Sequence, residues 1–142
     1  MPTVNQLLQS KGFDIVTIDA NATVFEALET MANHGIGSLI VLESGKVVGL
    51  FSERDYARNI ILKGRTSKET NVKEIMTSQV VVVSPEQSVE ECMAIMTDKR
   101  VRHLPVMKDD KLIGIISIGD LVKAIIEEQQ FVIEQLVRYI NG

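Results

Sequence analysis

Two seven-residue stretches hold the residue types best suited to chemistry in this chain: Gly49-Leu-Phe-Ser52-Glu-Arg-Asp55 and Gly114-Ile-Ile-Ser117-Ile-Gly-Asp120. Each leads from a short apolar run directly into a helical pattern. A Ser at the N-cap with an acid three residues on is a capping box, which satisfies orphan N–H groups at a helix start. The same junction gathers backbone N–H groups and the positive end of a helix dipole, which favour an anion. A Ser hydroxyl there can donate to a phosphate. An Asp one turn later has two acceptor oxygens and can take both hydroxyls of a ribose. Spacing alone leaves capping and ligand binding both open.

The charge distribution bears on that choice. The formal net charge is −4 over 142 residues, which argues against non-specific nucleic-acid binding. Basic residues nevertheless gather beside the motifs. Arg54, Arg58, Lys63, Arg65 and Lys68 follow the first one, and Arg54 and Arg58 share a helix face at i, i+4. Lys99, Arg100, Arg102 and His103 stand before the second hairpin. Lys63, Lys68 and Lys99 read as ordinary solvated charge. Arg102-His103 precedes Leu104-Pro105-Val106, a buried strand, so the pair sits at the mouth of the core, where a guanidinium and an imidazole suit phosphate. His103 can also be a satisfied structural histidine. His34, before Gly35, is explained by the helix dipole. Cys92 takes the core slot that Ala27 fills earlier in the chain. No metalloprotease, nucleophile-elbow or P-loop pattern is present, and two distant histidines give no metal-ligand spacing. Binding, rather than catalysis, is the expected class.

The elements that position these residues come from a duplication. Shifted by 65 residues, the chain matches itself without a gap, with twelve identities between positions 16 and 61 that include Val24 on Val89, Gly49 on Gly114, Ser52 on Ser117 and Asp55 on Asp120. Upstream, Val4-Asn-Gln-Leu7 resembles Val72-Lys-Glu-Ile75. Each copy reads as a strand (Ile15–Ile18; Val80–Val83), an amphipathic helix, a two-stranded hairpin and a closing helix. Val24, Ala27, Leu28, Met31 and Ala32 form one apolar face at helical period, and Val89, Cys92, Met93 and Met96 repeat it. Asn21 or Thr23 can cap the first helix and Gly35 suits its left-handed stop. The hairpins are Ser38–Leu42 with Val47–Phe51, and His103–Met107 with Leu112–Ile116. The expected division is a first repeat over 1–62 that includes the N-terminal segment, a polar linker over 63–71, and a second repeat over 72–142. Aromatics are only 4% of the chain, so the core must be aliphatic. No apolar run can span a bilayer and no leader is visible, so the expectation is a cytoplasmic protein away from membranes.

At these residues the chain resembles the CBS-domain family. The similarity covers the whole sequence and is carried by the two Gly-apolar-apolar-Ser-x-x-Asp motifs, by Arg102-His103-Leu104-Pro105-Val106 and by Val72-Lys-Glu-Ile75-Met76-Thr77. The resemblance implies an α/β fold of two intertwined β-α-β-β-α repeats related by pseudo-two-fold symmetry. It implies an adenine-nucleotide sensor that binds AMP first, or NAD(H) or ATP, in the cleft between repeats and regulates a protein partner that the sequence does not name. Carried over, Asp55 and Asp120 hold ribose hydroxyls and Ser52 and Ser117 meet phosphate. Thr17, Val82 and Ser38 frame an adenine, and Pro105, just after the basic pair, belongs to the same nucleotide-binding set. Arg54, Arg58, Arg102 and His103 neutralise phosphate. The first copy lacks the Arg-His and the Pro, so the two sites should differ. The local arginines argue against cationic S-adenosylmethionine. A structural dimerisation module with vestigial pockets is the alternative.

The C-terminal helix carries two apolar stripes between Leu121 and Ile140: Leu121, Ile125, Val132, Leu136 and Tyr139, and Val122, Ile126, Ile133, Val137 and Ile140. One core needs one stripe. The second implies another buried face, expected to belong to a homodimer.

Overall fold

The structure, a computed structural model, describes residues 2–142. Its elements are α1 (Val4–Lys11), β1 (Thr17–Asp19), α2 (Val24–His34), β2 (Ser38–Glu43), β3 (Lys46–Ser52), α3 (Glu53–Tyr56) continued by a π-helical turn (Ala57–Ile61), α4 (Val72–Ile75), α5 (Val89–Lys99), β4 (His103–Lys108), β5 (Lys111–Ser117) and α6 (Ile118–Asn141). They form two compact α/β units. One is Val16–Val80. The other joins the described residues up to Ile15 to Val81–Gly142.

The units therefore exchange their leading segments. The sequence reading places the N-terminal segment with the first repeat, but α1 packs with the second. Residues 72–80, assigned to the second repeat, pack with the first. The reason is a pair of equivalent helices that fill equivalent holes. Val4, Leu7 and Leu8 join Val89, Cys92, Met96, Leu104, Val106, Ile116 and Leu121 in one core. Val72 and Ile75 join Val24, Ala27, Met31, Leu39, Val41, Phe51 and Ile60 in the other. The stretch read as a linker is also ordered against the first unit. Thr70 is buried, and the carbonyls of Thr70 and Ser67 accept from Val24 N (2.8 Å) and Phe25 N (3.0 Å). These bonds satisfy donors that any helix start leaves open. In the second unit the Pro2 carbonyl does the same for Val89 N at 3.0 Å.

Local signals mostly act as the sequence indicates. Thr23, not Asn21, caps α2, its hydroxyl accepting from Glu26 N at 3.1 Å, and Gly35 ends the helix at φ 63°. Ser88 caps α5 in the same way. At the position of Gly35, α5 carries Arg100 at φ 56°, a left-handed conformation in a residue with a Cβ. Both expected hairpins form, and each strand extends to its motif's Ser, with Ser38 opposite Ser52 and His103 opposite Ser117.

The first strand of each copy shows a difference. β1 runs parallel to β2 with Thr17 opposite Ile40. In the second unit the expected strand Val80–Val83 is reduced to a single bridge between Val83 and Val106. Pro105 explains this. Its carbonyl accepts from Val83 N at 3.0 Å, so its nitrogen faces the same neighbour, and proline has no N–H to extend the ladder. The closing helices differ as well. The first is one α-turn and a π-turn, ended near Gly64 at φ 67°. The second, α6, has 24 residues.

Candidate functional site

Each Ser-x-x-Asp motif sits where the second hairpin strand of its unit, β3 or β5, turns into a helix. Ser52 is extended (φ −131°, ψ 166°) and caps α3, and Ser117 (φ −106°, ψ 165°) caps α6. Both capping boxes are complete. Asp55 N donates to Ser52 Oγ (3.2 Å), and Ser52 N donates back to Asp55 Oδ2 (2.9 Å). Asp120 N donates to Ser117 Oγ (3.1 Å), and Ser117 N to Asp120 Oδ2 (2.8 Å). The bonds orient each carboxylate, which remains half-buried rather than sealed in the core.

The glycines three residues before each Ser have a packing role. A Cβ on Gly49 would stand 2.5 Å from Met76 Sδ and 2.8 Å from the Thr77 carbonyl oxygen. A Cβ on Gly114 would stand 2.7 Å from Leu8 Cδ2. Both glycines make room for the exchanged segment that covers β3 or β5.

That segment also supplies a side chain to each motif. In the first unit Thr77 pairs with Leu50 through both backbone bonds at 2.9 Å, and its hydroxyl donates to Asp55 Oδ1 at 3.2 Å. In the second unit Lys11 Nζ donates to Asp120 Oδ2 at 2.5 Å and to the Ile115 carbonyl at 2.8 Å. Neither residue was a candidate from sequence. Lys11 lies 109 positions from Asp120, and only the exchange of α1 brings them together.

Electrostatics follow from this arrangement. Burial alone would raise the Asp120 pKa, but the Lys11 hydrogen bond, the Ser117 backbone N–H and the Lys11 charge together bring it below the ordinary value. His103, half-buried opposite Ser117, is held below the usual imidazole value. Burial is the main cause, with the Lys11 and Arg102 charges adding to it and Asp120 opposing it. His103 is therefore a neutral imidazole near neutral pH. Burial, with Glu91 beside it, pushes the Cys92 thiol up to about 11, so it is no nucleophile. Among the described residues no group of three His, Cys, Asp or Glu side chains could hold a metal.

The other sequence candidates divide. Ser38 begins β2 beside Ser52 and is 8% exposed. Thr17 lies half-buried on β1 and Pro105 is buried in β4. Val82 is 45% exposed and lies outside any strand. Arg102 is exposed, and its carbonyl accepts from Ile118 N at 2.9 Å, which fixes its backbone beside the second motif's helix start. Gly37 holds the matching place in the first unit, accepting from Glu53 N at 3.1 Å with the Glu53 carboxylate beside it. Arg54 and Arg58 are exposed and form no hydrogen bond to Ser52 or Asp55. Along α6 an open groove of about 700 Å³ runs from Arg102 past Ile118, Val122 and Ile126.

Comparison with known proteins places this geometry in context. The family model for the CBS domain matches residues 8–62 and 72–127. A CBS-domain-containing mitochondrial protein of Arabidopsis thaliana, CBSX3, is 39% identical over 99% of this chain and 72% of its own length. The solved structure of a putative signal-transduction protein with CBS domains from Burkholderia ambifaria is 50% identical. It covers 89% of this chain and 96% of that one with a TM-score of 0.85. The CBS domain pair of protein MJ0100, solved with 5′-methylthioadenosine and S-adenosyl-L-methionine, shares the fold at a TM-score of 0.79 and 22% identity, over 90% of this chain and 98% of that one.

Proposed function

Because the chain belongs to the CBS-domain family, we propose that it is a non-catalytic regulatory module whose two Ser-x-x-Asp motifs bind a phosphorylated adenosyl ligand. AMP stands ahead of NAD(H) and ATP, and binding changes the activity of a protein partner. The observation that carries this reading is the repeated junction itself. A carboxylate is fixed by a helix-capping Ser at the end of a strand in each unit, with Lys11, Arg102 and His103 about the second. A carboxylate held this way accepts a ribose diol, and the Lys11 and Arg102 cations suit phosphate, with His103 as a neutral hydrogen-bonding neighbour rather than a charge. The MJ0100 pair supports the ligand class, since both of its ligands are adenosyl compounds. Calorimetry on ligand-stripped protein against AMP, ATP, NADH and S-adenosylmethionine tests the reading. Heat with a phosphorylated ligand is expected, and silence with all four refutes it.

Self-association is the second element of the proposal. Of α6, only Leu121 is fully buried, with Ala124 and Ile125 packed partly against the core. Ile126, Phe131, Val132, Ile133, Leu136, Val137 and Ile140 are exposed. So wide an apolar face on one helix points to a homodimer, and in that state the chain would also serve the structural role considered as the alternative. Light scattering should show a dimer at micromolar concentration. Ending the chain after Glu127 should weaken it, and a dimer unchanged by that truncation would place the interface elsewhere. No helix among the described residues is long and apolar enough to cross a membrane, and a cytoplasmic location belongs to the same proposal.

A further inference from the structure

The two motifs are completed by different chemistry. In the first unit, Leu50 O and Asp55 Oδ1 are met by the backbone N–H and the hydroxyl of Thr77. Ile115 and Asp120 are their counterparts 65 residues on. There a single group, the Lys11 ammonium, meets both Ile115 O and Asp120. The substitution has an electrostatic consequence. Asp55 with neutral Thr77 leaves a net negative charge, whereas Asp120 with Lys11 is neutral as a pair. It also has a geometric one. Thr77 and Ser52 between them engage both oxygens of Asp55. Lys11 and the Ser117 N–H both go to Oδ2 of Asp120, and among the described residues Oδ1 accepts no bond. An ammonium has three donors, and among the described residues Lys11 uses two.

We propose that Lys11 is a positioning and specificity-determining residue of the second motif. It holds Asp120 by one oxygen so that the other can accept a ribose hydroxyl, and it cancels the carboxylate charge that would repel a phosphate on the same ligand. This rests on the reading of Asp120 as the ribose acceptor. The ammonium's third donor is available to the phosphate, so Lys11 selects phosphorylated over unphosphorylated nucleosides. The second motif therefore fills with a phosphorylated ligand before the first. The pair keeps 32% (Lys11) and 24% (Asp120) of its side-chain surface, near enough to solvent for ligand and salt to reach it.

The test is a titration with two probes, AMP and adenosine, in an Asp55→Asn background that isolates the second motif. Lys11→Met removes the charge, and Lys11→Arg keeps it. Losing the positioning of Asp120 should weaken both probes, and removing one unit charge beside a phosphate at low ionic strength should weaken AMP roughly five- to tenfold more than adenosine, a gap that closes as salt shortens the screening length. Lys11→Arg should keep the AMP-to-adenosine ratio near that of the parent. The ratio is internal to each protein, so partial misfolding of a variant lowers both affinities and leaves it unchanged. An unchanged ratio in Lys11→Met overturns the inference, as does tighter binding of both probes, which would make Lys11 a competitor for the carboxylate. If the unaltered protein binds neither probe, the ribose reading and this inference fall together. Binding by the parent with an unchanged ratio in the variant removes only the role of Lys11.

Discussion

Asp120→Asn separates capping from binding at the second motif. The amide oxygen of Asn can still accept from Ser117 N, which is 2.8 Å from Asp120 Oδ2, so the capping bond survives in weaker form. What is lost is charge. The ion pair with Lys11 is a quarter to a third exposed, and such pairs contribute roughly 0–1 kcal/mol. An acid in the first turn of a helix adds about 0.3–1 kcal/mol through the dipole. The stability cost is therefore about 0.5–1.5 kcal/mol, or about 2–6 °C in melting temperature for a chain of this size. If Asp120 holds a ribose, the variant also loses charge-assisted bonds worth roughly 1.5–3 kcal/mol, about 10- to 150-fold in affinity. Melting curves and AMP titrations on the same preparation read the two effects apart. We expect the melting temperature to fall modestly and the tighter binding phase to disappear. A variant that melts lower but binds AMP as tightly as its parent would show that Asp120 only caps.

Three further outcomes follow from the same geometry. Arg100→Gly places at φ 56° the residue type that the first repeat uses there as Gly35, and should stabilise by roughly 0.5–1 kcal/mol, read by denaturant unfolding. Gly49→Ala should destabilise more than Gly114→Ala, because the first Cβ meets a backbone carbonyl fixed by the Leu50–Thr77 pairing and the second meets only the end of the Leu8 side chain. Equal losses would refute that distinction. The pH dependence has a defined sign: His103 and Asp120 both have folded pKa values below their ordinary ones, so in those intervals the unfolded chain binds more protons and stability rises with pH. The His103 contribution is whole above about 6.5 and is lost as pH falls below it, and Asp120 adds a further loss below about 3.8. His103→Gln should flatten the fall in melting temperature between pH 7 and 5.

Much of the fold was legible because the repeat made each signal appear twice. The apolar stripe Val24-Ala27-Met31 and its copy Val89-Cys92-Met96 fixed two helices and the cores they enter. Both Ser-x-x-Asp junctions stood out by residue type and spacing. What escaped the sequence depended on distance in three dimensions. The exchange of α1 and α4 is invisible to a repeat read in chain order, since Val4–Leu7 and Val72–Ile75 resemble each other wherever they pack. Lys11 and Thr77 were missed for that reason. The loss of the strand at Val80–Val83 was readable in principle from Pro105, which cannot donate to the neighbour it faces. The π-turn after Tyr56 has no sequence signal that we can name.

The most direct test is a calorimetric comparison of the ligand-stripped protein with Asp55→Asn, Asp120→Asn and the double variant, each titrated with AMP. If the duplicated junctions are the binding sites, the parent binds AMP, each single variant loses one phase, and the double variant gives no heat while still melting cooperatively. A folded double variant that binds AMP as the parent does would contradict the account.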